Sequence, residues 1–146
     1  GEQGGRTEGK SEAQVTDDLG KRQMEIQSAE QLFQGRCSPC EGQTALYSAE
    51  QALAQLAHLE DWYLVCDGQR IRRDYTARNF LAGLEFFDKV ATLAEIENHH
   101  PDLHLEGYCN LSLELWTHTI GGLSVNDFIL AAKINGLEKP TGVVVE

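Results

Sequence analysis

The chain has 146 residues, enough for one compact domain with room for an appended tail. Twelve Lys and Arg against 23 Asp and Glu leave a formal charge of −11, which repels phosphate backbones and argues against direct nucleic-acid binding. No apolar run approaches the roughly 18 residues that span a bilayer, and four cysteines are too few for a disulfide scaffold. No secretory apolar region is visible. A targeting segment removed ahead of Gly1 would leave no trace, so a cytoplasmic, mitochondrial or plastid location is compatible with the chain.

Gly1 to Gln23 offers only Ala13, Val15 and Leu19 as apolar side chains. That is too little burial to offset the ordering entropy, and disorder is expected. A weak helical pattern follows, with Met24, Ile26, Leu32 and Phe33, that could dock on the domain or on a partner chain. Arg36-Cys37-Ser38-Pro39-Cys40 closes this region. Residues 1–42 are therefore read as a flexible extension carrying a CxxC, and residues 43–146 as the domain. Ser48 with Gln51 forms a capping box for a helix to about Leu59, with Ala49, Leu53, Leu56 and Ala57 as its apolar stripe. Trp62 to Cys66 and Gln69 to Tyr75 read as a hairpin around Asp67-Gly68. The longest helix is expected from Asn79 to Asn98, burying Phe80, Leu84, Phe87, Val90 and Leu93, and Pro101 prevents its continuation. Leu103 to Tyr108 and Leu111 to Thr117 give a second antiparallel pair. Leu111, Leu113 and Leu115 face one way, and Ser112, Glu114 and Trp116 the other. Ser124 opens a last helix that ends near Gly136. The order α-β-β-α-β-β-α predicts an α+β domain: a four-stranded antiparallel sheet with three helices on one face.

Histidine carries the chemical signal. Four of the five (His99, His100, His104 and His118) fall close together, and imidazole is the side chain whose unperturbed pKa lies near neutrality. His99 and His100 are placed at the end of the long helix and His118 at the end of the last strand, so groups far apart in sequence could meet in one pocket. Such a cluster suits proton transfer in both directions on a small polar substrate. Glu95, one turn before His99, could orient its ring. Blander readings stand beside these. A His-His pair at a helix end can be a solvated cap, His58 a surface cap and His104 a sheet-face residue. Ser124-x-x-Asp127 is a capping box whose carboxylate could simply satisfy backbone N–H groups. Histidines with carboxylates could also hold zinc or iron, but adjacent histidines rarely both face one metal. Cys37 and Cys40 lack two further nearby cysteines for a structural zinc site. They read as a tight disulfide or a local ligand pair.

The run Glu95-x3-His99-His100-Pro101-x6-Tyr108-x9-His118-x8-Asp127 resembles the signature of the pterin-4a-carbinolamine dehydratases, over roughly Ser48 to Leu137. Gly83-Leu84-Glu85-Phe86-Phe87 and the segment from Trp116 to Phe128 are most similar to its plant, algal and apicomplexan branch. The resemblance implies dehydration of 4a-hydroxytetrahydropterin to quinonoid dihydropterin, a small-molecule pterin substrate, and no metal or organic cofactor. It also implies His99, His100 and His118 as acid–base and pterin-binding groups. Glu95, Pro101, Thr117, Thr119 and Asp127 would line or order the same pocket. A homodimer or homotetramer is expected. The family's non-catalytic roles, as transcriptional coactivator or assembly factor, are the alternative, and retention of all three histidines favours the enzyme.

Overall fold

The computed structural model describes residues 25–39, 45–139 and 142–145. Gly1 to Met24 and Cys40 lie outside these, and so do the expectations that fall on them.

Ser28 and Gln31 form a reciprocal capping box that starts α1 (Ala29–Gln34). The α1 helix packs on the domain: Leu32 is fully buried, and a Cβ on Gly35 would stand 3.1 Å from Ile129 Cδ1. Ahead of it, Gln27 N–H donates to Gln55 Oε1 and Gln55 Nε2 donates back to Gln27 O. Gln55 is fully buried in α2 (Ala49–Leu56). Its amide thereby satisfies the polar backbone of the docked segment.

That pairing turns α2 away from the predicted face. Ala52 and Gln55 are buried while Leu53 is 59% exposed, because α2 covers the incoming segment as well as the sheet. The long helix α3 (Phe80–Glu97) differs in the same way. It buries Ala82, Gly83, Phe86, Phe87, Val90, Ala94 and Glu97, and leaves Phe80 and Leu84 exposed. Gly83 is the reason for the close approach: a Cβ there would meet Leu111 at 3.3 Å.

The sheet is antiparallel in the order β1-β2-β4-β3. Its strands are β1 (Tyr63–Val65), β2 (Arg70–Ala77), β3 (Asp102–Glu106) and β4 (Asn110–Leu115). One strand was not anticipated: β5 (Val143–Val145) pairs with Tyr75 to Ala77 of β2, alongside β1 on the same edge. Three consecutive valines suit that extended position. The α1 helix likewise adds to the three expected helices, and the α+β class stands. Ile71, Tyr75, Leu111, Leu113 and Leu115 line one sheet face and join Phe86, Val90, Phe128 and Leu130 in the core. The opposite face is polar, yet Ser112 and Glu114 are buried on it, since Arg70 and Arg72 each donate to Glu114 at 3.0 Å.

The last helix, α4 (Val125–Asn135), is tied to α3 through Glu97. That carboxylate is 6% exposed, lies 3.0 Å from Lys133 Nζ and accepts from Cys37 N–H at 2.9 Å. Burial alone would raise its pKa. The Cys37 N–H, Lys133 and Arg36 outweigh burial and hold it below the ordinary carboxylate range. A carboxyl whose pKa falls on folding stabilises the native state above the unfolded value, about 4.3, and loses that contribution as pH falls through the native value. Glu97→Gln is therefore expected to cost about 2 kcal/mol at pH 7. In urea titrations the gap from wild type should shrink at about pH 3.5; a gap unchanged between the two pH values would contradict this account.

Candidate active site

The α3 helix stops because Asn98 adopts the left-handed conformation, φ 54°, where its side chain is tolerated. The amides of Asn98 and His99 both turn back to Ala94 O. This reversal sends the two adjacent rings apart. His99 turns inward, with 12% of its side chain exposed, while His100 stays 55% exposed beside Glu95. His100 Nε2 and Glu95 Oε2 lie 2.6 Å apart, and an ion pair this exposed contributes little stability.

His99 Nε2–H donates to Asp127 Oδ1 at 2.7 Å. Asp127 is fully buried at the third position of α4, and its Oδ2 accepts from Ser124 N–H at 2.9 Å and Thr117 Oγ1–H at 2.7 Å. Both readings of this residue hold geometrically. One oxygen completes the capping box and the other fixes His99. A neutral His99 hydrogen-bonded in this way carries its proton on Nε2 and keeps Nδ1 as its acceptor.

The opposite wall departs from the expected strand end. Pairing in β4 stops at Leu115, and Thr117 makes an isolated bridge with Gly122. Between them lies a short 3-10 helix, His118–Ile120, closed by Gly121 at φ 68°. His118 therefore sits in a tight loop rather than on a strand, because the Thr117 N–H donates to Gly122 O at 2.7 Å instead of continuing the ladder. The His118 ring stacks on Trp116, with centroids 4.0 Å apart and planes at 29°. Trp116 is itself held by its Nε1–H, which donates to Asp102 Oδ2 at 3.2 Å, and by Arg70, 4.4 Å from the ring centroid.

His99, His100, Thr117, His118 and Thr119 line one cavity of about 390 Å³. The other three expected residues do not reach it. Asp127 lies beneath His99, Glu95 stands outside behind His100, and Pro101 leads into β3. His104 is on the polar sheet face, its Nε2 4.0 Å from Glu114, and His58 is exposed beyond α2. Asn98, Trp116, Asn126, Ser38 and Pro39 also line the cavity and were not anticipated. Asn98 and Trp116 could have been suspected from adjacency to the histidines. Ser38 and Pro39 read in the sequence only as part of the CxxC stretch and not as site residues, since only folding brings them near the histidines. Cys37, Cys66 and Cys109 are free thiols. Among the described residues Cys37 makes no disulfide, and its S–H points to Asn126 O at 3.5 Å; Cys40, the other half of the predicted pair, lies outside them. Among the described residues no group of three or more His, Cys, Asp or Glu side chains is placed to hold a metal ion.

The family model described as pterin 4 alpha carbinolamine dehydratase matches residues 45–137. The chain belongs to that family. It is 45% identical over 106 residues to pterin-4-alpha-carbinolamine dehydratase 2, mitochondrial, of Arabidopsis thaliana. That match covers 70% of this chain and 57% of the Arabidopsis protein. A putative pterin-4-alpha-carbinolamine dehydratase of Dechloromonas aromatica is 43% identical over 106 residues, covering 73% of this chain and 92% of the relative. A crystal structure of a transcriptional coactivator/pterin dehydratase from Brucella melitensis superposes with a TM-score of 0.57 at 25% identity, covering 63% of this chain and 97% of the Brucella chain. The family model's match begins at residue 45, so Ser38 and Pro39 reach the cavity from outside the matched residues.

Proposed function

We propose that this dehydratase-family chain removes water from 4a-hydroxytetrahydropterin, giving quinonoid dihydropterin, by histidine acid–base catalysis. The observation that carries the proposal is the convergence of His99, His100 and His118 on one cavity, with Asp127 buried beneath His99. In this reaction the C4a–O bond breaks and its electron pair leaves with the oxygen. The oxygen takes a proton and departs as water. The N5 lone pair forms the C4a=N5 double bond, and the N5 proton is taken by a base. One protonated and one neutral imidazole supply both transfers. The chemistry uses only these proton transfers, so we assign no metal and no organic cofactor.

A homodimer or homotetramer belongs to the same proposal. Strand β3 is at the edge of the described sheet, and Leu81 and Ile96 of α3 are 74% and 66% exposed, surfaces that a second copy could cover. A coactivator role, suggested by the description of the Brucella protein, would act through protein contacts, since the charge of −11 disfavours DNA. Among the described residues no helix is long and apolar enough to cross a membrane.

The direct test is stopped-flow mixing of the protein with synthetic 4a-hydroxytetrahydropterin. Dehydration should accelerate in proportion to protein concentration and persist in chelator. No acceleration overturns the enzymatic reading and leaves the non-catalytic one; loss of activity in chelator, restored by a metal, overturns the cofactor assignment.

A further inference from the structure

Residues 36–39 form a strap without regular secondary structure, across the junction of the α3 C-terminus and the α4 N-terminus. It is pinned at both helices. Cys37 N–H donates to Glu97 Oε1 at 2.9 Å, and the Arg36 guanidinium lies 3.9 Å from the same carboxylate. Ser38 N–H donates to Asn126 Oδ1 at 3.1 Å, while Asn126 Nδ2–H donates to Ser38 O at 2.6 Å. Asn126 thus grips the strap by both its amide N–H and its carbonyl, much as a neighbouring strand would. It is 4% exposed and adjacent in sequence to Asp127, so one turn of α4 holds both the strap and His99.

The strap contributes shape rather than a nucleophile. Burial, followed by the Glu97 charge, pushes the Cys37 thiol up to about 12, and a protonated thiol is a poor nucleophile. Its two last described residues, Ser38 and Pro39, are exposed and line the cavity, whereas Thr117 inside it is 3% exposed. His100 and His118 are exposed as well, so Ser38 and Pro39 share the open rim of the cavity with two of the imidazoles. In a pterin C6 is bonded directly to N5, so a ring whose N5 meets those imidazoles carries its C6 substituent beside the reacting atoms, along the rim that Ser38 and Pro39 share.

We propose that Ser38 and Pro39 are specificity-determining residues, contacting the substituent that a bound pterin carries at C6, with Asn126 as the positioning residue that holds them there. This rests on the pterin dehydration reading above.

The test compares kcat/KM of the full chain for the 4a-hydroxy forms of 6-methyltetrahydropterin and of tetrahydropterin with a dihydroxypropyl group at C6. Ser38→Gly combined with Pro39→Gly, and separately Asn126→Ala, should both shift the ratio of the two kcat/KM values about 3- to 10-fold from wild type, in the same direction. The change should fall on KM more than on kcat. If Asn126→Ala fails to fold, the glycine pair, which alters exposed positions, decides the matter. A ratio unmoved by the glycine pair, with the wild type active, overturns the strap's role and leaves the dehydratase reading intact. A wild type inactive on both substrates overturns the dehydratase reading, and the strap proposal with it.

Discussion

His118→Ala is expected to slow dehydration about 10²- to 10⁴-fold, the range associated with losing a positioned general acid or base. The fold should survive. His118 lies exposed in the loop after β4, and the ring contact it makes is with Trp116. Losing that stack costs roughly 0.5–1.5 kcal/mol. Stopped-flow rates with 4a-hydroxytetrahydropterin and a thermal melt on the same preparation measure both effects. A variant within about twofold of wild type in rate would remove His118 from the chemistry. It would leave the cavity lined by a histidine pair alone.

Asp127→Asn separates the two jobs of that carboxylate. The Asn carbonyl can still accept from Ser124 N–H and Thr117 Oγ1–H, so the α4 cap should be retained at a cost of about 1 kcal/mol. Its amide nitrogen would then face His99 Nε2. That contact favours the tautomer with Nε2 as acceptor, so the ring loses the arrangement in which Nε2–H is donated to the carboxylate and Nδ1 stays free to accept. An orienting carboxylate replaced by an amide in this way is worth ~10²-fold or more in rate. Asp127→Ala should be worse for the fold, by about 3–5 kcal/mol, because it strands Thr117, Ser124 and His99 without their shared acceptor. An Asn variant that shifts only the melting temperature would make Asp127 a helix cap and nothing more.

These two residues show what could be read from one dimension. Local rules placed Asp127 in a capping box and ended a helix ahead of Pro101, because capping and proline chemistry act over three or four residues. The alternation in β4 separated Leu111, Leu113 and Leu115 from Ser112 and Glu114, as the pairing with β2 and β3 requires. The helical faces were less legible. Leu53, Phe80 and Leu84 fit an apolar stripe yet are exposed, since a 3.6-residue period does not say which of two partly apolar flanks meets the core. Gln55 lies outside the apolar stripe read for its helix and is fully buried, because its partner, the backbone of Gln27, is 28 residues away.

The sequence alone determined the α+β class, the order of hairpins and helices, and the histidine signature, all of which depend on spacing along the chain. Only the tertiary structure decided which residues share the cavity. It turned His99 inward and His100 outward through one left-handed residue, Asn98, and seated Asp127 under His99. It moved His118 from a strand end into a loop stacked on Trp116. It also brought Ser38 and Pro39 to the rim through hydrogen bonds from Asn126, 88 residues further on. Contacts of that range carry no periodic signature, because they are set by where whole elements pack.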